Sequence, residues 1–316
     1  MTEKLKVLIT CPPMLLMIDH FKDLLEQKNI SITTPNFVQT LSISELIKLV
    51  PLHHGWIIGD DPATKEVFEA GKTGLLKAAV KWGIGVDNVD FEACKELNIP
   101  ITNTPNIFGS EVADIALGYV IGCARGTYEI DRAVRCGHWY KPTGQSLSGK
   151  NAAIIGFGDI GKQLAKRLIA CEMNVSVYDP FVLNEEKIEV TINNWPEKIN
   201  EADFIILTCS LNDSTFHIIN DNSIRDMKDG VSIVNVSRGP LIDETILNKY
   251  LDSGKIRYLA LDVYEKEPLN KNSLLINRSN IILGSHNASN TKDAVIKASE
   301  QAIKTLTDFL KCEHEY

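Results

Sequence analysis

A glycine triplet, Gly156-Phe-Gly158-Asp-Ile-Gly161, most restricts what this chain can fold into. The apolar run Asn151–Ile155 leads into it, and the helix-patterned segment Ile160–Ile169 leaves it. Strand, glycine turn and helix in that order open a βαβ unit, whose helix must cross to a parallel neighbouring strand. Gly156 allows the tight turn, Gly158 lets a pyrophosphate approach the backbone, and Gly161 lets helix and strand pack closely. The amides of Asp159, Ile160 and Gly161 at the helix start, with the helix dipole, favour an anion. The next apolar run, Asn174–Tyr178, ends at Asp179, 18 residues after Gly161. An acid there accepts hydrogen bonds from both hydroxyls of an adenosine ribose and repels a 2′-phosphate. No Arg follows within Pro180–Asn184, so NAD is expected rather than NADP. The plainer reading of Asp179 is a turn acid ahead of Pro180.

Strand-like runs alternate with helix-like segments along the whole chain, which predicts a parallel α/β architecture. The first series is Lys6–Thr10, Ile30–Ile32, Gly55–Ile58, Ala78–Val80 and Pro100–Thr102, with helices expected over Ser44–Val50 and Asp90–Leu97. Asp90 is a good N-cap residue for the latter. One long apolar helix is expected over Ser110–Gly137, buried against another element or a second subunit. A second series then begins at Asn151 and continues through Asn174–Tyr178, Phe204–Leu207, Val231–Asn235, Tyr258–Leu261 and Asn280–Leu283. Six short strands with crossovers match a dinucleotide-binding sheet. The tail Asn290–Lys311 reads as one amphipathic helix that either caps this domain or crosses back to the first.

At 316 residues the chain is long enough for two domains. Its net charge of −8 and scattered basic residues argue against nucleic acid, which needs a concentrated basic face. The start MTEKLKVLIT has no targeting pattern, and no apolar run approaches the ~18–20 residues a membrane span needs, so a cytoplasmic protein is expected. Seven cysteines with no CxxC or metal spacing read as small hydrophobes in a reducing compartment, and no metal is expected.

Three polar residues downstream of the glycine loop suggest the chemistry. Arg238, Glu267 and His286 combine an anion grip, a carboxylate and an imidazole beside a dinucleotide site. That set suits hydride transfer to a 2-oxo acid: the imidazole moves the proton, the guanidinium holds and polarises the substrate, and the cofactor moves the hydride. The remaining histidines lack such context.

In its segments KWGIGVDNVD (81–90), NTP (103–105), the loop 156–161, MKDGVSIVNVSRGPLID (227–243), LDVYEKEP (261–268) and SHNA (285–288), the chain resembles the D-isomer-specific 2-hydroxyacid dehydrogenases over nearly its whole length. The resemblance implies a discontinuous, flavodoxin-like substrate domain (residues 1–103 and 291–316) around a Rossmann NAD-binding domain (residues 104–290). The tail would then cross back to the first domain. It assigns Arg238 to the substrate carboxylate and carbonyl, His286 to acid/base work, and Glu267 to the far imidazole nitrogen. Asp262 would bind the nicotinamide carboxamide, the alternative being a simple strand-end acid. Thr208, Cys209, Ser210, Val236 and Ser237 would line the cofactor, and the amides of Ile84 and Gly85 would hold the substrate carboxylate. A homodimer built on the helix Ser110–Gly137 is implied as well.

The resemblance is nearest to short phosphoglycerate-oxidising members, with Lys81 and Lys141 placed to hold a phosphate. Three departures stand against that substrate: Asp60-Asp61 where Arg-Ser is common, Phe108 in place of an Asn, and Asn287 after the histidine. Hydroxypyruvate, glyoxylate or another D-2-hydroxy acid/2-oxo acid pair is the alternative. A cofactor-sensing, corepressor-like binding protein is the remote one.

Overall fold

In a computed structural model, residues 4–182 and 188–312 are described. Leu183 and Asn184, part of the segment read for cofactor choice, lie outside them, as does His314. The chain divides into two compact units, Met1–Phe108 with Asn290–Tyr316, and Gly109–Ser289.

The first unit holds β1 (Leu5–Ile9), β2 (Ile30–Thr33), β3 (Gly55–Ile58), β4 (Ala78–Lys81) and β5 (Ile101–Asn103) in one parallel sheet ordered β2-β1-β3-β4-β5. This is the flavodoxin-like order. All four residues of β3 and of β4 are buried, as expected where helices cover both faces of a parallel sheet. Trp56, Phe68, Leu46 and Val50 lie in the core on one side. The C-terminal helix Lys292–Cys312 packs in this unit: the Trp82 indole donates to Ser299 Oγ at 3.1 Å, and Leu306 lies against Gly55. Asp90 caps the helix Phe91–Glu96 by accepting from the Ala93 amide at 2.8 Å.

The second unit holds β6 (Asn151–Ile155), β7 (Asn174–Tyr178), β8 (Thr191–Ile192), β9 (Phe204–Leu207), β10 (Val231–Asn235), β11 (Ile256–Leu261) and β12 (Ile281–Leu283). They form a parallel sheet ordered β12-β11-β10-β9-β6-β7-β8, the 3-2-1-4-5-6 order of a Rossmann sheet with one strand, β12, added at an edge. Among the described residues seven strands replace the expected six, because β8, two exposed residues at the edge, is too short and polar to read from pattern. The single helix expected over Ser110–Gly137 is two, Gly109–Arg125 and Thr127–Arg135. Gly126 breaks it in the left-handed region at φ +64°, which glycine enters without steric penalty.

The topological switch point lies between β6 and β9, which run side by side while their onward connections diverge. Ligands of open α/β sheets bind at the carboxyl ends of the strands there.

Candidate active site

The glycine loop follows β6 as expected. Gly156 adopts φ +96°, and a Cβ on it would stand 2.5 Å from the backbone of Cys209 at the end of β9. Gly161 opposes the Gly156 carbonyl, so a side chain would force the helix Asp159–Ala170 off the strand. Gly158 differs: a Cβ there would meet nothing within 4 Å. The glycine at that position leaves the approach to the helix N-terminus open. Asp179 clamps the same loop, its Oδ2 accepting from the Phe157 amide at 2.7 Å and its Oδ1 from the Phe181 amide at 2.9 Å. It is therefore a turn acid and a loop clamp, and each oxygen retains a second lone pair.

Beside Asp179 opens a cavity of about 480 Å³, lined by Gly156, Gly158, Tyr178, Trp195, Thr208, Cys209 and Ser210 among others. The Tyr178 and Trp195 rings meet edge to face at 5.6 Å. A flat apolar wall, an open glycine and a carboxylate at the rim fit the adenosine and pyrophosphate of a dinucleotide. Sequence reading missed the Trp195 side: Asn193-Asn194-Trp195 lies beyond β8 and carries no motif. Thr208 Oγ1 donates to the Gly156 carbonyl at 2.7 Å, tying β9 to the glycine loop. Burial pushes the Cys209 thiol up to about 12, so it stays protonated and inert. The Ser237 hydroxyl donates to the Cys209 carbonyl. Asp159, Ile160, Gly161, Val236, Ser237 and Asp262 do not line the cavity.

Arg238 stands just past β10, with Nη1 donating to the Ser237 carbonyl at 2.8 Å and its own carbonyl accepting from Asn235 at 2.7 Å. Gly239 follows it, crossing directly against the Tyr264–Glu265 peptide after β11. His286 lies past β12 at φ +55°, a left-handed conformation that a non-glycine residue holds only when its surroundings enforce it. Asp262 does so: its carbonyl accepts the His286 amide at 2.6 Å, and its carboxylate accepts the Asn287 and Ala288 amides at 3.2 and 2.8 Å. Asp262 is 2% exposed, so the structure shows it as an anchor of the histidine loop. His286 Nδ1 lies 2.7 Å from Glu267 Oε2. In the tautomer with Nδ1–H directed at the carboxylate, Nε2 is the ring nitrogen not engaged by Glu267.

In the first unit, Ile84 and Gly85 lie on the loop after β4, steadied by Asn103 donating to the Ile84 carbonyl at 3.1 Å and by the Gly83 amide donating to Thr104 at 2.8 Å. Lys81 does not present a solvent-facing cation. It is 2% exposed, and its ammonium donates to Asp60 Oδ1 at 3.1 Å and to the Trp82 carbonyl at 3.0 Å. Asp61 is fully buried, its Oδ1 accepting the Leu41 amide at 2.9 Å, and burial raises its carboxyl above the usual range. Of the acidic pair that stood against a phosphate in the sequence, Asp61 is thus taken up inside the first unit. Phe108 is buried against Trp82, with ring centroids 5.1 Å apart. Lys141 is exposed on the segment between Arg135 and Asn151.

Residues 117–288 match the family described as D-isomer specific 2-hydroxyacid dehydrogenase, NAD binding domain. A hydroxypyruvate reductase of Thermotoga maritima is 37% identical over 80% of this chain and 84% of its own length. A D-3-phosphoglycerate dehydrogenase of Archaeoglobus fulgidus is 35% identical over 80% of this chain, but the match spans only 49% of that protein. Among solved structures, a glyoxylate reductase from Paecilomyes thermophila superimposes with a TM-score of 0.82 at 27% identity, covering 98% of this chain and 96% of that one. The D-lactate dehydrogenase of Escherichia coli gives 0.83 at 26% identity, covering 97% of each. Among the described residues, no helix is long and apolar enough to cross a membrane. The chain belongs to the D-isomer-specific 2-hydroxyacid dehydrogenases and is an NAD-dependent oxidoreductase of that family.

Proposed function

We propose that the protein interconverts a small, unphosphorylated 2-oxo acid, hydroxypyruvate or glyoxylate, and its 2-hydroxy acid. The observation that carries this substrate choice is Lys81: its ammonium is buried and committed to Asp60. A phosphate would need that cation, since charge-assisted contacts supply most of the affinity for a phosphate. With Asp60 already beside it, the pair offers no net positive charge. D-3-phosphoglycerate, the expectation from sequence, would be left to the exposed Lys141.

In reduction, His286 donates a proton from Nε2 to the carbonyl oxygen as it becomes an alkoxide, while Glu267 on Nδ1 stabilises the charged ring. In oxidation the ring takes the hydroxyl proton back. Arg238 holds the substrate carboxylate through paired, charge-assisted hydrogen bonds and polarises the carbonyl. The glycine loop, Asp179 and the Trp195 cavity hold NAD(H), which supplies or accepts the hydride when bound. We also place a homodimer on the helices Gly109–Arg125 and Thr127–Arg135, where Ile115, Ile121, Tyr128 and Val134 are exposed.

The test is NADH oxidation with glyoxylate, hydroxypyruvate, hydroxypyruvate phosphate and pyruvate, followed with wild type and His286→Asn. Hydroxypyruvate should exceed its phosphate ester in kcat/KM by at least roughly tenfold, the weight of one charge-assisted contact. His286→Asn should lower turnover by about 10²–10⁴-fold with NADH affinity retained. Preference for the phosphate ester would refute the substrate reading, and full turnover in His286→Asn would refute the acid/base role.

A further inference from the structure

Three separate loops carry Arg238, Glu267 and His286, and one residue outside that trio, through its main chain and its hydroxyl, contacts Glu267 and the segments beside the other two. Tyr264 follows β11 and is 5% exposed. Its amide donates to Glu267 Oε1 at 3.0 Å, so the carboxylate that meets His286 through Oε2 is anchored at its other oxygen. Its hydroxyl donates to the Gly284 carbonyl at 2.7 Å, two residues before His286, with the Leu261 carbonyl at 3.3 Å. Its peptide with Glu265 lies directly against Gly239, the residue after Arg238.

We infer that Tyr264 is a positioning residue, whose hydroxyl sets the His286 loop against the Glu267 carboxylate. This rests on the acid/base reading of His286. The reasoning is geometric. Glu267 is fixed relative to the Tyr264 backbone, and Gly284 is fixed relative to the Tyr264 ring. The distance from carboxylate to imidazole therefore depends on one rigid aromatic side chain. His286 lies in a left-handed backbone conformation and has little freedom to re-form the contact by itself once Gly284 shifts. The carboxylates of Asp262, Glu267 and Glu244 surround the phenol, and burial together with these charges pushes its ionisation well above the ordinary tyrosine value, so it remains a donor throughout the working pH range. A phenylalanine would fill the same core space and lack only this bond.

The experiment is Tyr264→Phe, with Tyr264→Met as a second variant lacking the hydroxyl. Folding is checked by melting temperature. The expected result is a kcat lowered about three- to tenfold, the weight of one hydrogen bond, with KM for the 2-oxo acid and Kd for NADH within twofold of wild type. In the protein without substrate or cofactor, the His286 imidazole is followed by NMR with labelled histidine and identified by its loss in His286→Asn. Its midpoint should fall in the variants, because a loosened carboxylate stabilises the charged ring less. In a Glu267→Gln background the hydroxyl should matter less than twofold, since both changes break the same pair. A wild-type kcat, an unmoved titration midpoint or additive losses in the double variant would overturn the inference. Should His286→Asn itself keep full turnover, the acid/base reading fails instead, and the two failures are distinguishable.

Discussion

The glycine loop allows the roles of two neighbouring glycines to be separated by one methyl group each. In Gly158→Ala the new Cβ meets nothing within 4 Å, so the fold should be indifferent to it. On the proposed cofactor assignment, a pyrophosphate approaches the backbone through that empty space. A methyl group there intrudes on the ligand alone, and an overpacking penalty of roughly 1–3 kcal/mol translates into about a 5- to 150-fold loss of NADH affinity. In Gly156→Ala the new Cβ stands 2.5 Å from the Cys209 backbone, whereas ordinary contact begins near 3.4 Å. The strand ends must part by about 0.9 Å, at a position whose φ of +96° already disfavours any side chain. Overpacking of about 1–3 kcal/mol and left-handed strain of about 1–2 kcal/mol act together. At roughly 2–4 °C per kcal/mol for a domain of this size, the melting temperature should fall by about 4–20 °C. Thermal melts and NADH fluorescence titrations separate the cases: Gly158→Ala loses binding with an unchanged melting temperature, and Gly156→Ala loses both. Wild-type NADH affinity in Gly158→Ala would refute the assignment of that opening to the cofactor.

Asp179→Ser should raise the ratio of NADPH to NADH efficiency by about tenfold or more, because the repulsion of a 2′-phosphate disappears; NADH binding should also weaken, since the Phe157 amide loses its acceptor. A wild type that already prefers NADPH would refute the ribose reading. His53 is buried with its ring between the Leu49 carbonyl at 2.8 Å and Thr33 Oγ1 at 2.7 Å, and burial, helped by nearby Lys6, holds its ionisation below the ordinary 6.5 despite the favourable carbonyl bond. The unfolded chain takes up this proton first, so the contribution is intact above about pH 6.5 and lost as pH falls below it, towards the folded value. Urea titrations from pH 7.5 to 5 should show a shallower decline in His53→Gln than in wild type, and identical slopes would exclude His53 as a source. Sedimentation should give a dimer of twice 35.1 kDa, and a glutamate at Ile121 should dissociate it; a wild-type monomer at micromolar concentration would remove the dimer proposal.

Much of the second unit was legible because its central strands are buried on both faces. Five-residue apolar runs such as Asn151–Ile155 and Val231–Asn235 coincide with β6 and β10 residue for residue. The position of the chemistry followed from topology: Arg238, Asp262 and His286 all stand just beyond strand carboxyl ends, where parallel sheets place their ligands. Gly126 was the visible breaker in the stretch read as one helix. Helix-compatible residues on both sides of it masked the break, since periodicity alone does not distinguish a glycine within a helix from one that ends it.

Side-chain direction was the quantity that residue type could not supply. Lys81 ends a strand with every residue buried, and only the parallel register of Ile58 beside Lys81 brings the ammonium near Asp60, 21 residues earlier in the chain. By sequence the two are a cation for a phosphate and an anion against it; in the structure each is the other's partner. The same applies to Asp262, read as a cofactor contact or a turn acid and found holding three consecutive amides of the histidine loop. A buried charged residue needs a partner, so a lysine or aspartate at the buried end of a strand is evidence for an unseen contact before it is evidence for a ligand. Applied here, that rule moves the proposed substrate away from phosphate.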